Sequence, residues 1–402
     1  MTTKEQNDRL TQVGPGTPMG ALLRRYWQPV GAACEFDSEP VRSVRILGEN
    51  LTLYKSENGE YGLIGERCPH RRVSMEYGIP DPKGLRCPYH GWLFDKKGHC
   101  VEMPYDDRVN PDSTYKDRVK MTAYPVQELS GLLFAYLGPE PVPLLPRWDV
   151  LAREDLDAVI VVNRLPCNWL QCMDNAADPV HFEYLHAALG NYALKRQGLP
   201  PKMQQGRHLK IEFDRFPFGI MKRRLLEGES EDCDDWKIGH PLLFPNILAV
   251  GDMGRPTLQF RVPVDDTNTI QFAYRTSPRA PGAPRKPVGV KHVELFNAAG
   301  KIVPDNVPSQ DMLAWVMQGP ISDRENEHLS LSDKGVILYH RMLHEEMDKV
   351  ARGEDPMGIV RDPAENEPMI DLCRERKALQ PFQSKYSTTF DRVTKPVGEA
   401  AE

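Results

Sequence analysis

The stretch CPHRRVSMEYGIPDPKGLRCPYHGW, Cys68 to Trp92, sets two cysteines and two histidines in matched pairs, Cys68-x-His70 and Cys87-x2-His90, with sixteen residues between the pairs. Thiolate and imidazole together suit zinc or an iron–sulfur centre. Zinc sites space the ligands of a pair by about two to four residues, whereas a single residue separates Cys68 from His70. Each cysteine has its own nearby histidine, so two thiolates can hold one iron and two imidazoles the other. Pro69 and Pro88 directly follow the cysteines and stiffen both loops. Imidazoles in place of two thiolates lower the negative charge on such a centre and raise its potential. A structural zinc site is the alternative.

The flanks of this stretch read as short strands. VRILGENLTLYKSENGEYGLIGE alternates apolar and polar residues around an Asn58-Gly59 hairpin signal, and GWLFDKKGHCVEM repeats the form around Lys97-Gly98. From Trp27 to about Tyr136 the pattern predicts a small all-β domain that embeds the Cys/His loops. Before it, TPMGALLRRYW offers Thr17 as N-cap and Pro18 at the first position of a short helix. After it, LGPEPVPLLPRWDV (137–150) carries four prolines and reads as a crossover linker.

The chain of 402 residues suits about two to three domains. Hydrophobic residues at 40% and charged residues at 27% fit a soluble protein with a sizeable core. No run approaches the about 18 apolar residues of a membrane span, and the N-terminus MTTKEQNDRLTQVG lacks the apolar region of a secretory leader. A net charge of -6 without a basic tract argues against nucleic acid as the main partner. Eight cysteines without a disulfide pattern point to a reducing compartment, the cytoplasm. Six of them (Cys34, Cys100, Cys167, Cys172, Cys233 and Cys373) show no paired spacing and read as buried thiols.

A second constellation lies in DNAADPVHFEYLH, which holds Asn175, Asp178, His181 and His186. Two neutral imidazoles and a carboxylate form the facial triad that leaves positions open on ferrous iron. Asp178 and His181 are three residues apart and can share a helix face. His181 and His186 are five apart, roughly 140° around an ideal helix at about 100° per residue. Both can bind one metal only if the helix bends, bulges or ends between them, near Tyr184. Two ordinary histidines are the alternative. The runs HLKIEFDRF, FGIMKRRLLEG, PNILAVGD, PTLQFRVPV and TIQFAYRTS resemble successive strands of an antiparallel sheet, SPRAPGAPRKPVG (277–289) an exposed loop, and about Gln310 to Val350 a long helical region.

CPH…CPYHGW resembles the cluster-binding signature of Rieske [2Fe–2S] proteins. N-x2-D-x2-H-x4-H, about ninety residues on, resembles the iron motif of Rieske non-haem iron aromatic ring-hydroxylating oxygenases, as found in the terminal oxygenase alpha subunits of the phthalate dioxygenase-like group. The resemblance covers nearly the whole chain. It implies an α+β architecture, an all-β Rieske domain (27–140) and a helix-grip catalytic domain (141–402; antiparallel sheet with a long C-terminal helix), with an N-terminal helical segment (1–26) packing on the latter. It implies a [2Fe–2S] cluster on Cys68, His70, Cys87 and His90, and Fe(II) on His181, His186 and a late carboxylate. Asp311, at the head of a helix, is preferred for that carboxylate over Asp323. Relatives form head-to-tail homotrimers, in which Asp178 would join an iron-ligand histidine, His181 or His186, to His90 of the partner subunit; Asn175 would stand near the open side of the iron.

No G-x-G-x-x-G fingerprint, flavin motif or second cysteine set is present, so electrons from NAD(P)H must arrive through a separate reductase, with or without a ferredoxin. The resemblance implies O2-dependent hydroxylation or O-demethylation of an aromatic acid, phthalate-like or a lignin-derived methoxyaromatic. A carboxylate substrate would want Arg or Lys near the iron; Arg207, Lys222, Arg223, Arg255 and Arg261 are candidates, each read more readily as an exposed strand charge. A Rieske electron carrier with an inactive second domain and a zinc-stabilised interaction protein are the competing readings.

Overall fold

The computed structural model describes residues 2–201, 206–251 and 254–374; the end of the expected catalytic domain, 375–402, lies outside them. The first half holds three small antiparallel sheets. One comprises Val41–Ile46, Glu49–Lys55, Tyr61–Gly65 and Ala123–Tyr124. A second, Ile79–Asp81, Gly84–Arg86, Leu93–Phe94 and Cys100–Glu102, carries the Cys/His loops. A third joins Gln28–Ala32 to Leu132–Ala135 and Val126–Leu129. Hairpins close at Asn58-Gly59 and Lys97-Gly98, as the alternation predicts. Gly98 has φ +80°, and a Cβ there would lie 2.2 Å from the Met121 carbonyl oxygen, so no side chain fits.

The second half is built on one eight-stranded sheet. Its order is His208–Phe216, Gly219–Leu226, His240–Leu243, Ile247–Val250, Thr257–Asp265, Asn268–Pro278, Leu156–Leu165 and Gly289–His292. Every neighbouring pair is antiparallel except the last, which is parallel. The helix Trp169–Ala177 packs against the sheet and against the helices Val307–Met317 and Lys334–Ala351. The long helical region is thus two helices: Gly319 (φ +88°) and Pro320 end the first.

The N-terminal helices Lys4–Thr11 and Pro18–Leu23 lie on this second half. Thr17 Oγ1 accepts from the Gly20 amide at 3.1 Å, with Pro18 in the first turn. Asn7 reaches across to Ser322 and Arg324, donating to the Ser322 carbonyl at 3.1 Å and accepting from Arg324 Nη1 at 3.2 Å.

One apolar core runs through all of these parts, from Leu10, Leu22 and Trp27 through Phe36, Leu53 and Phe134 to Trp169, Phe260 and Tyr339. The proline-rich stretch after Leu137 is correspondingly not a free linker. Trp27 Nε1 donates to the Pro143 carbonyl at 3.0 Å, and the Leu144 amide to Val360 O at 2.9 Å, strapping it down. A smaller core (Ile64, Met75, Leu85, Phe94, Met103, Met121) underlies the Cys/His loops.

Candidate metal centres

The two Cys/His loops share one hydrogen-bond frame. The Cys68 amide donates to Val73 O at 3.0 Å and its carbonyl accepts from the Arg72 amide at 2.9 Å; Cys87 does the same with Trp92 at 2.8 Å and Gly91 at 3.0 Å. The fourth residue after each cysteine is left-handed, Gly91 at φ +77° and Arg72 at φ +62°. Glycine adopts that conformation freely, whereas arginine is held in it at a cost of about 1–2 kcal/mol. Within matching frames the histidines stand at different offsets, yet their rings meet with centroids 4.5 Å apart, and His70 stacks on Trp92 at 4.4 Å.

Burial sorts the ligands. Cys68 and Cys87 are 1% and 2% exposed, while His70 and His90 lie open at the tip. Burial, with Cys87 beside it, pushes the Cys68 thiol up to about 11, so thiolate binding to metal would release a proton. Two adjacent buried thiols under two exposed imidazoles fit a [2Fe–2S] group held sulfur-side in.

The histidines of the second half are brought together by an irregular helix. Asp178 precedes Pro179, which drives it out of the α region (φ −99°, ψ 116°), so the helix Trp169–Ala177 stops there. Asp178 and His181 therefore do not share a helix face, contrary to the sequence expectation. A 3₁₀ turn, Val180–Glu183, follows; then a π-helix, Tyr184–Ala188; then an α-helix, Leu189–Arg196. The π segment begins at Tyr184, where the spacing requires a break, and its wider turn aligns residues five apart. The His181 and His186 ring centroids are 5.0 Å apart. Glu183 anchors the segment to the sheet, accepting from the His208 amide at 2.6 Å.

Asp311 lies in the second turn of the helix Val307–Met317, beyond the end charge a helix dipole would favour. Its Oδ1 is 3.2 Å from His186 Nε2 and 3.6 Å from His181 Nε2. The three ligand atoms lie within 4.8 Å of one another, and Asp311 Oδ1 is buried with no hydrogen-bond partner among the described residues. Three converging donor atoms with an orphaned carboxylate oxygen between them fit a divalent cation. Asp323 sits on an exposed turn, accepting from Asn326 Nδ2 at 2.8 Å.

The two imidazoles have different neighbours, and His181 Nδ1 makes no hydrogen bond among the described residues. Asp178 Oδ2 lies 3.6 Å from His181 Nδ1, and Oδ1 accepts from the Val180 amide at 2.7 Å. Burial opposes the Asp178 charge, but His181 and these amides outweigh it and hold the carboxyl below its usual range. His186 Nδ1 instead meets Gln310 Oε1 at 3.0 Å, both residues being buried. Sequence reasoning passed over Gln310; its only signal was its place beside Asp311.

A cavity of about 280 Å³ opens on this centre, lined by Asn175, Asp178, His181, His186, Lys222, His240 and Asp311 among others. That is near the lower end for small-molecule sites. Asn175 lines the same cavity as the two histidines. Of the basic candidates, Lys222 and Arg223 line the cavity. Arg223 is committed to Asp214 and to the Trp236 carbonyl, at 2.6 and 2.7 Å. Arg261 is buried beneath the Trp315 ring, and Arg207 and Arg255 are exposed.

The Rieske [2Fe-2S] domain family matches residues 26–120, and a family described as LigXa C-terminal domain like matches 299–375. The chain is 44% identical over 373 residues (91% of this chain, 85% of the relative) to the 5,5'-dehydrodivanillate O-demethylase oxygenase subunit of Sphingobium sp. (strain NBRC 103272 / SYK-6). It is 32% identical to the phenoxybenzoate dioxygenase subunit alpha of Ectopseudomonas oleovorans, over 87% of each chain. Pseudomonas putida CBB5 NdmA shares the fold, with TM-score 0.60 at 22% identity over 82% of this chain and 92% of that one. An all-β Rieske unit joined to an iron-binding half on an antiparallel sheet defines a terminal oxygenase. The chain belongs to the Rieske non-haem iron aromatic oxygenases, as an oxygenase alpha subunit. It is an enzyme that carries a [2Fe–2S] cluster and a mononuclear iron, and it works with separate electron-transfer proteins. Among the described residues, no helix is long and apolar enough to cross a membrane.

Proposed function

We propose that Cys68, His70, Cys87 and His90 hold the [2Fe–2S] cluster, that His181, His186 and Asp311 hold the iron, and that the substrate is an aromatic acid, hydroxylated or O-demethylated in the adjoining cavity. The observation that carries this reading is the meeting of His181, His186 and Asp311 at the wall of a cavity that basic side chains also line. A methoxyaromatic is favoured by similarity to an O-demethylase subunit. The domain limits (1–26, 27–140 and 141–402), a homotrimer and a cytoplasmic location belong to the same proposal.

When bound, the metal groups supply electrons and a site for dioxygen. The chain's own residues do the positioning. Asp178 orients His181, and in an assembled trimer its carboxylate would also meet His90 of the partner subunit, coupling the two centres. Gln310 fixes the His186 ring so that Nε2 faces Asp311. Asn175 offers a polar group at the cavity wall, and the apolar lining, Phe182, Leu248 and Val250 included, excludes water from the ring.

The test is oxygen uptake with a generic reductase across a panel of aromatic acids with and without methoxy groups. Release of formaldehyde with oxygen consumption marks O-demethylation. No acid stimulating uptake in protein with full metal content would overturn the substrate class.

A further inference from the structure

Opposite the metal ligands, Lys222 and His240 face the cavity from adjacent strands, Gly219–Leu226 and His240–Leu243. They are directly paired in the antiparallel register, so their side chains emerge side by side on one face. Lys222 is half-buried and lines the cavity. Its Nζ donates to the Ala176 carbonyl at 2.6 Å, and it forms no ion pair among the described residues. No carboxylate among the described residues pairs with it directly, so a donor-rich group is left facing the space where substrate sits.

His240 complements it. Its Nε2 is 3.2 Å from Asp235 Oδ1, and the other Asp235 oxygen accepts from Arg224 Nε at 2.9 Å; Asp235 is 1% exposed. An ionised carboxylate only accepts, so Nε2 carries the proton and Nδ1 presents a lone pair, with no hydrogen-bond partner among the described residues. The cavity wall therefore offers a cationic donor beside a neutral acceptor. A carboxylate would satisfy the first and be repelled by the second. A hydroxyl satisfies both, and only an aromatic one, at about the acidity of tyrosine, gives up its proton readily.

Resting on the reading of this cavity as the aromatic-binding site, we propose that Lys222 and His240 form a subsite for a phenolic hydroxyl of the substrate. Its O–H bond breaks, the proton passes to His240 Nδ1, and the phenolate oxygen stays on the Lys222 ammonium. Asp235 stabilises the imidazolium so formed. Burial, helped by Arg224 and Lys222 and opposed by Asp235, holds His240 below its ordinary value, so it is a neutral acceptor near pH 7 and takes a proton only with a phenolate charge beside it. Burial, then Arg224 and Arg261, lowers Lys222 to about 7, partly offset by Asp178 and Asp311; a bound oxyanion would restore its charge. Of the other cations on this wall, Arg223 is occupied by Asp214 and Arg224 by Asp235. The subsite selects rings that carry a free hydroxyl.

The test uses oxidised holoenzyme without reductase, so that nothing turns over, and two probes: 2-methoxy-4-nitrophenol and its methyl ether, 1,2-dimethoxy-4-nitrobenzene. Below the phenol's own pKa, binding should raise its visible phenolate band, and the phenol should bind at least about tenfold more tightly than the ether. Lys222→Met and His240→Gln should each lose the band and most of that preference while binding the ether as before. Equal affinity for the two probes, or phenol binding without the band, would overturn the subsite and leave the aromatic site standing. Binding of neither probe would overturn both. Should a variant lose its Rieske absorption and fail to fold, the two-probe comparison on the unmodified enzyme decides by itself.

Discussion

Replacing Gln310 by leucine isolates what orients His186, the proposed iron ligand. The contact is 3.0 Å between His186 Nδ1 and Gln310 Oε1, with the residues 2% and 3% exposed, so no water can take the vacated place. Without metal, the imidazole of the variant can shift its proton to Nε2, where Asp311 stands 3.2 Å away. Ferrous iron held by the imidazole at Nε2 would return the proton to Nδ1, where leucine accepts nothing. The penalty therefore falls on the metal-bound state. An unsatisfied buried donor costs about 1–3 kcal/mol. At about 1.4 kcal/mol per tenfold, ferrous affinity should fall roughly 5- to 150-fold, in line with the about 10–100-fold typical of lost outer partners. The Gln310 amide also donates to the Pro304 carbonyl at 3.1 Å, which Gln310→Glu loses while keeping the acceptor. The glutamate variant should therefore bind iron at least as well as the parent. Anaerobic ferrous titration of iron-stripped protein against a competing chelator reads both, with Rieske absorbance as the check on folding. Parental ferrous affinity in the leucine variant would refute the reasoning.

Three further outcomes follow from the same geometry. His181→Ala should abolish product while leaving the Rieske spectrum intact; sustained turnover would remove His181 from the iron. Asp174→Asn should destabilise the fold by about 3–5 kcal/mol, because the two carboxylate oxygens take Arg324 Nη2 at 2.5 Å and His340 Nε2 at 2.6 Å, and an amide offers one acceptor. Burial opposes the Asp174 charge, but His340 and Arg324 hold its folded pKa below the ordinary 3.8, so this stability is present above about pH 4 and is lost as pH falls through the depressed value. Denaturation midpoints of parent and variant should accordingly converge in acid, and a gap that persisted there would contradict the assignment. Gly91→Ala combines φ +77° with a Cβ 3.0 Å from Pro104 Cγ. It should cost about 1–2 kcal/mol and appear as a lower cluster content per chain after purification.

Local signals carried much of the architecture. Alternation marked His208–Phe216 with its observed bounds and placed four more strands of the large sheet nearly as well, while His240–Leu243, starting His-Pro, carried too little pattern to be seen. The requirement for a break near Tyr184 was legible because five residues cannot align on an ideal helix; that the break is a π-helix was not, since it depends on Glu183 finding His208 and on Asp311 arriving from a helix 125 residues after His186. Asp178 was misjudged as a helix-face residue although Pro179 carried the contrary signal. Lys222 read as an exposed strand charge because strand position alone does not reveal a cavity; closure by the segments around residues 175–186 and 307–311 encloses it. Gln310 is informative only through its partner 124 residues away.

The uninterrupted apolar interior shared by the cluster-bearing and iron-bearing halves has a mechanical consequence. Lobes joined by a thin polar contact can swing; here, rotation would tear Trp27, Phe134 and Phe260 out of one packed mass and pull Trp27 away from Pro143. Among the described residues the two halves share that packing, while the loops of Cys68 and Cys87 rest on their own smaller core beside it. The exposed His70–His90 tip leaves the imidazole side of those loops open to contact with another molecule.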